Sequence, residues 1–200
     1  MNLSLAQLTS SFSFDTITEE RKEDLKVLID YITSKKNQNK AIHLNFICTH
    51  NSRRSQFSQL WAKVMAVYHG VDCYTYSGGV EITACNERVI ATLEEQGFEI
   101  STQKQDENPR YQIGKEGKDY GSFFSKLYDD PSSPSKDFAA VMTCAHADEN
   151  CPFIPGAEQR IPLRYNDPKA FDDTPKEQSA YRDKSLEIAL EMHYIFACVG

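Results

Sequence analysis

The chain of 200 residues contains no apolar stretch near the ~18 residues that a membrane-spanning helix requires, so nothing in it is expected to cross a bilayer. Its first residues lack a basic run leading into an apolar one, and no secretory signal is expected. It lacks a positive charge balance: the net charge of −7 argues against a general nucleic-acid binder. Internal repeats and low-complexity tracts are absent as well. No cysteine or histidine pair shows the short spacing of zinc ligands, so no metal site is expected. What remains is a hydrophobic content of 40% and an aromatic content of 11%, enough to fill the core of one domain with additions. Six cysteines without a secretory signal point to a reducing compartment, taken as the cytoplasm.

The most informative run is Cys48-Thr49-His50-Asn51-Ser52-Arg53-Arg54-Ser55. Residues 41–47 before it alternate and are apolar, which predicts a buried strand. After it, Phe57, Leu60, Trp61, Val64, Met65 and Tyr68 recur at helical spacing. Cys48 is therefore expected on a strand-to-helix turn. In such a turn backbone N–H groups converge and the helix N-terminus favours negative charge, which suits a tetrahedral oxyanion. Arg54 can add a two-point clamp that lysine could not copy. A cysteine seated there is held as a thiolate and becomes a nucleophile toward the anion's central atom. Thr49, His50, Asn51, Ser52, Arg53, Arg54 and Ser55 are the candidate oxyanion-binding residues. Asn51 is expected to brace the turn through its side chain, and Ser55 to hydrogen-bond Cys48 or cap the helix.

Residues 1–40 read as an N-terminal helical extension, with a stripe of Leu25, Leu28, Ile29 and Ile32 and a cap at Thr18 or Thr16. Residues 41–200 read as the catalytic domain. Strands are expected at 41–47, 71–77, 138–143 and 159–163, and helices at about 54–69, 86–96 and 175–196, with Gly97 as a stop. About 104–136 reads as an inserted loop with a short helical piece around 123–128. Strands alternating with helices imply an α/β fold whose parallel sheet is covered on both faces, with ligands at the carboxyl ends of the strands.

A second run, Cys144-Ala145-His146-Ala147-Asp148-Glu149-Asn150-Cys151-Pro152, follows the strand at 138–143. If helical, it separates the two cysteine Cα atoms by about 10 Å, whereas a disulfide needs about 4.4–6.8 Å. The two can pair only if the segment is a loop or unwinds. His146 reads as a solvated helix position rather than a catalyst. After the fourth strand, Asn166-Asp167-Pro168 places a carboxylate where it can face the first turn and protonate a leaving group. Cys73, Cys85 and Cys198 read as packing residues, and His43, His69 and His193 fall in no motif.

Together, Cys48–Ser55, Cys144–Cys151 and Asn166-Asp167-Pro168 closely resemble the thioredoxin-coupled arsenate reductases built on the low-molecular-weight protein tyrosine phosphatase fold. Residues 77–81 through Asn86 look like that family's second strand and the turn after it. The resemblance covers about 41–103 and 137–200. It implies a three-layer α/β/α fold with a four-stranded parallel sheet. It also implies a three-cysteine relay: Cys48 attacks arsenate held by Arg54 and the turn, Asp167 protonates the departing oxygen, Cys144 attacks Cys48 to release arsenite, and Cys151 carries the disulfide out to thioredoxin. No cofactor is called for. The family usually has glycine where His50 stands and often cysteine where Arg53 stands, so His50 is expected to strain or reshape the turn. Gln59 stands where a related subgroup has a potassium-holding glutamate, so no ion site is expected.

Two rivals share the anion turn. A low-molecular-weight phosphatase for phosphotyrosine or a small phosphoester would use Cys48, Arg54 and Asp167 through a phosphocysteine. A non-catalytic oxyanion- or partner-binding module would need none of the three to react. Only the paired cysteines separate reduction from hydrolysis, because arsenate and phosphate share shape and charge.

Overall fold

The computed structural model describes residues 3–104, 106–150 and 153–200. Four strands form a parallel sheet: β1 (Ile42–Cys48), β2 (Cys73–Gly79), β6 (Phe138–Met142) and β7 (Ala157–Pro162), in the order β2-β1-β6-β7. The helices are α1 (Leu5–Ser11), α2 (Glu19–Asn37), α3 (Arg54–Tyr68), α4 (Glu87–Glu95), α5 (Ala145–Asn150) and α6 (Glu177–Val199). The fold is the expected α/β/α arrangement around a four-stranded parallel sheet. Among the described residues no helix is long and apolar enough to cross a membrane.

Alternation along β6 shows why both faces are covered. Ala139 and Val141 join Leu44, Phe46, Trp61 and Phe196 in the larger core, while Phe138, Ala140 and Met142 join Ile47, Ala147 and Ile154 in a smaller one on the other side. α2 contributes Leu25, Leu28 and Ile32 to the larger core, all without solvent exposure. Its start is capped by Thr18, whose hydroxyl accepts from Arg21 N at 3.2 Å. Gly97 ends α4 with a φ of +80°, a conformation that costs glycine least.

Strand order reverses beside β1, because the chain passes from β1 to β2 on one side and later returns to β6 on the other. Such a switch point opens a crevice at the carboxyl ends of the strands. Cys48 ends β1, and Thr143 and Cys144 follow β6 at the same edge; Thr143 N donates to Ile47 O at 2.7 Å.

Residues 99–128 differ from expectation. Instead of loop and helix they form an antiparallel sheet of β3 (Glu99–Lys104), β4 (Arg110–Lys115) and β5 (Lys118–Phe123). A two-residue turn at Glu116-Gly117, with φ of +54° and +73°, joins β4 to β5; positive φ at both central residues matches the twist of a hairpin. Ile113, Tyr120 and Phe123 pack into the larger core with Phe98 and Trp61. No helix forms at 123–128, where Leu127 instead bridges Gly79 beside the reactive turn.

Candidate active site

Cys48 is 4% exposed, where β1 gives way to the turn. Its Sγ lies 3.1 Å from Ser55 Oγ, and Asn51 Nδ2 donates to that same oxygen at 2.8 Å. Because Ser55 Oγ already accepts from Asn51, its one O–H is free to donate to the sulfur. Asn51 Oδ1 accepts from Lys126 N at 3.0 Å, so the amide bridges the turn to the inserted segment. Asn51 braces the turn as anticipated, and Ser55 serves the sulfur.

The carbonyls of the turn face outward. Thr49 O accepts from Val80 N and Glu81 N, both at 2.9 Å, and Ser52 O from Asn86 N at 3.0 Å. His50 O accepts from Ser125 Oγ at 2.8 Å and Thr83 Oγ1 at 3.3 Å, and Asn51 O from Gln56 Nε2 at 2.8 Å. Four successive carbonyls of the turn are thus bonded to the surroundings. Gly79 packs against this outer side. A Cβ there would come within 2.6–2.8 Å of Glu81 O, Asn51 N and Thr49 O.

The bend is at Asn51, whose φ is +47°; asparagine tolerates this left-handed region better than most residues. The strain anticipated at His50 is not placed there. The His50 ring instead lies 3.2 Å from Glu81 Oε2 and is 41% exposed, turned toward the rim.

Arg54 donates from Nη1 to Tyr165 O at 3.0 Å and from Nη2 to Asp167 Oδ2 at 2.6 Å, while its buried Nε has no protein acceptor among the described residues. Arg53 stands just before α3, and its Nε donates to Asp167 Oδ1 at 2.9 Å. One carboxylate thus holds both arginines. Burial alone would raise the Asp167 carboxyl, but the Arg54 charge, the Lys169 N–H and Arg53 outweigh it and keep it below the usual carboxylate range. Asp167 is held ionised in this arrangement.

Cys144 stands at the same mouth. Its Sγ is 3.5 Å from the hydroxyl of Thr49, the residue after Cys48, and it accepts from Ala147 N at 3.3 Å at the start of α5. The segment from Ala145 to Asn150 is helical and Cys144 is a free thiol. His146, solvated as expected, also reaches Thr49 Oγ1 with Nδ1 at 3.3 Å. Asp148, buried on α5, is held by Arg160 and by Arg164, whose Nε donates at 2.7 Å. Cys151 lies outside the described residues. Cys73 and Cys85 are buried, and burial pushes both thiols up to about 12, which makes them unreactive packing residues. Cys198 is exposed.

Tyr165, just before the Asn166-Asp167-Pro168 run, offers its carbonyl to Arg54; Ser125 and Lys126, which carried no motif, act on the turn from the inserted segment. A cleft of about 530 Å³ adjoins the turn, walled by His50, Ser52 and Arg53 on one side and by Asn86, Glu107 and Tyr111 on the other. Gln59 Oε1 accepts from Ser77 Oγ at 2.6 Å, and the described residues contain no cluster of three or more histidines, cysteines and carboxylates that could hold a metal.

No protein-family profile matches the chain. It is 28% identical over 144 residues to an arsenate reductase of Bacillus subtilis, covering 72% of this chain and 85% of that one. It is 29% identical over 145 residues to an arsenate reductase of Staphylococcus saprophyticus, covering 72% and 88%. A low-molecular-weight phosphotyrosine phosphatase of Vibrio cholerae superposes with a TM-score of 0.51 at 11% identity, over 78% of this chain and 95% of that one, which shows the shared fold. The resemblance read from the cysteine motifs therefore extends over most of the chain.

Proposed function

We propose that this chain is an arsenate reductase working by a thiol relay. The observation that carries the reading is a second thiol, Cys144, at the mouth of an oxyanion turn already equipped with Cys48, Thr49 lying between them. A phosphatase needs only the first thiol.

Arsenate settles against the turn's N–H groups, and Arg54 supplies further donors, among them the unpartnered Nε. The Cys48 thiolate attacks arsenic, and an oxygen leaves as water with a proton from Asp167. That carboxyl starts below the usual range, and a bound anion both draws Arg54 away from it and repels its charge, so it gains a proton when one is needed. The Cys144 thiolate then attacks Cys48 Sγ. The As–S electron pair stays on arsenic, arsenite departs, and a Cys48–Cys144 disulfide remains. Cys151 attacks Cys144, which frees Cys48 as a thiolate, and a dithiol protein of the thioredoxin class takes the disulfide. Two thiols are oxidised for each arsenic reduced. The reading assigns Thr49, His50, Asn51, Ser52 and Arg53 to shaping the turn rather than to chemistry, and places the protein in a reducing compartment such as the cytoplasm.

The cleft beside the turn is larger than a free oxyanion requires, which favours hydrolysis of a small phosphoester as the second reading. One experiment separates the two: arsenate turnover with thioredoxin, its reductase and NADPH, beside hydrolysis of para-nitrophenyl phosphate. Cys144→Ser is expected to abolish the first and leave any of the second in place. Arsenate turnover that survives Cys144→Ser rules out the relay.

A further inference from the structure

Arg21, on α2, points into the protein. Its Nε donates to Glu191 Oε1 at 2.7 Å and its Nη2 to Glu191 Oε2 at 2.9 Å, the planar two-point pairing that lysine cannot reproduce. Glu191, on α6, is 5% exposed. Its Oε2 also accepts from Tyr165 Oη at 2.7 Å, and the Arg21 guanidinium lies 5.0 Å from the centre of the Tyr165 ring. Burial, ahead of the Glu191 charge, holds the Tyr165 phenol well above its usual range, so it remains a donor to that carboxylate. The other end of Tyr165 belongs to the site: its carbonyl accepts from Arg54 Nη1 at 3.0 Å, and its N–H is tied to Thr143 O at 3.1 Å.

We infer that the Arg21–Glu191–Tyr165 network positions Arg54 for oxyanion binding, so that a helix far from the turn in sequence sets the turn's affinity. None of the three touches the anion in this scheme; they are positioning residues. A guanidinium grips a tetrahedral anion through several donors at once, so its orientation matters as much as its charge. The Tyr165 carbonyl fixes one of its nitrogens, and the ring that carries that backbone is held by a buried carboxylate. Without Arg21 the carboxylate is left buried without its charged partner, which loosens its hold on the phenol. The inference rests on reading the turn as an oxyanion site, but not on arsenate being reduced there.

The test is phosphate binding by titration calorimetry on the full chain, with KM and kcat for arsenate measured alongside. Arg21→Met is expected to weaken phosphate binding by roughly 3- to 30-fold and to raise KM more than it lowers kcat, with Arg21→Lys restoring part of the loss. If Arg21→Met does not fold, Tyr165→Phe takes its place; it keeps the ring and the carbonyl and removes only the hydroxyl link. A lowered Tm with phosphate affinity at the wild-type value would mean a purely structural role and overturns the inference alone. If the wild-type protein binds no phosphate, the oxyanion reading of the turn fails and this inference fails with it.

Discussion

Asp167 competes with any oxyanion for the two arginines of the turn, and removing its charge makes that competition measurable. Its two contacts, 2.9 Å to Arg53 and 2.6 Å to Arg54, are charge-assisted hydrogen bonds between part-buried groups. Such bonds are worth about 1.5–3 kcal/mol each. Asp167 is 28% exposed, and the entering anion regains most of what the carboxylate gives up, so screening and replacement leave a net of about 1–2 kcal/mol. Asp167→Asn should therefore bind sulfate about 5- to 30-fold more tightly than the wild-type protein, while arsenate turnover falls because no proton donor remains. Sulfate is the better probe because it does not titrate near neutral pH. The wild type should bind it more tightly as pH falls, since a bound anion raises the Asp167 carboxyl and draws in a proton; the variant should lose that dependence. The sign for stability agrees. Asp167 is held below its usual range, so its pairs stabilise the fold above the ordinary carboxylate pKa and are lost as pH falls through the folded value. Sulfate binding to Asp167→Asn at or below wild-type strength would refute the argument.

Lys126 is 4% exposed, and burial, against the opposing pull of Asp130, brings its amine down to about 8. Its folded pKa lies below the unfolded one, so the buried charge is a cost below pH 8 that fades as pH climbs from about 8 to about 10. Lys126→Met should add about 1–3 kcal/mol at pH 7 in urea denaturation and flatten the wild-type rise between pH 8 and 10; an unchanged profile would count against a charged, buried amine. Gly79→Ala would push a methyl into three backbone atoms of the turn and its neighbours. It should cost about 1–3 kcal/mol and raise KM for arsenate, as calorimetry and steady-state kinetics would show; wild-type values for both would mean that the turn yields freely.

The motifs made the positions of Cys48, Arg54, Cys144 and Asp167 legible because each depends on local order in the chain: a strand end, a helix start, or a fixed spacing. The periodicity of Phe57, Leu60, Trp61 and Val64 located α3, and the apolar run at 138–143 located β6, since each pattern matches a single element. The antiparallel sheet at 99–123 was not legible. Its strands are polar and interrupted by Gly114 and Gly121, and its hairpin turn is Glu-Gly rather than the Asn-Gly or Asp-Gly that usually marks one. The bend at Asn51 rather than His50 depended on which carbonyls found donors, and those come from Thr83, Asn86 and Ser125, distant in sequence. The ionised state of Asp167 was hidden for the same reason: the motif supplied the carboxyl, but only the fold brings Arg53 and Arg54 onto it together.

The contacts from Ser125 to His50 O and from Lys126 to Asn51 Oδ1, and the bridge from Leu127 to Gly79, make the segment after β5 a floor for the turn. An attempt to trim this protein to a minimal catalyst by excising the whole stretch between Lys104 and Lys136 would remove that floor along with the hairpin. A shortened version has to keep residues 124–128 at their present height against β2 and rejoin the chain around them. The insertion is therefore working scaffold at both ends: its last residues support the turn, and its hairpin gives Ile113, Tyr120 and Phe123 to the larger core.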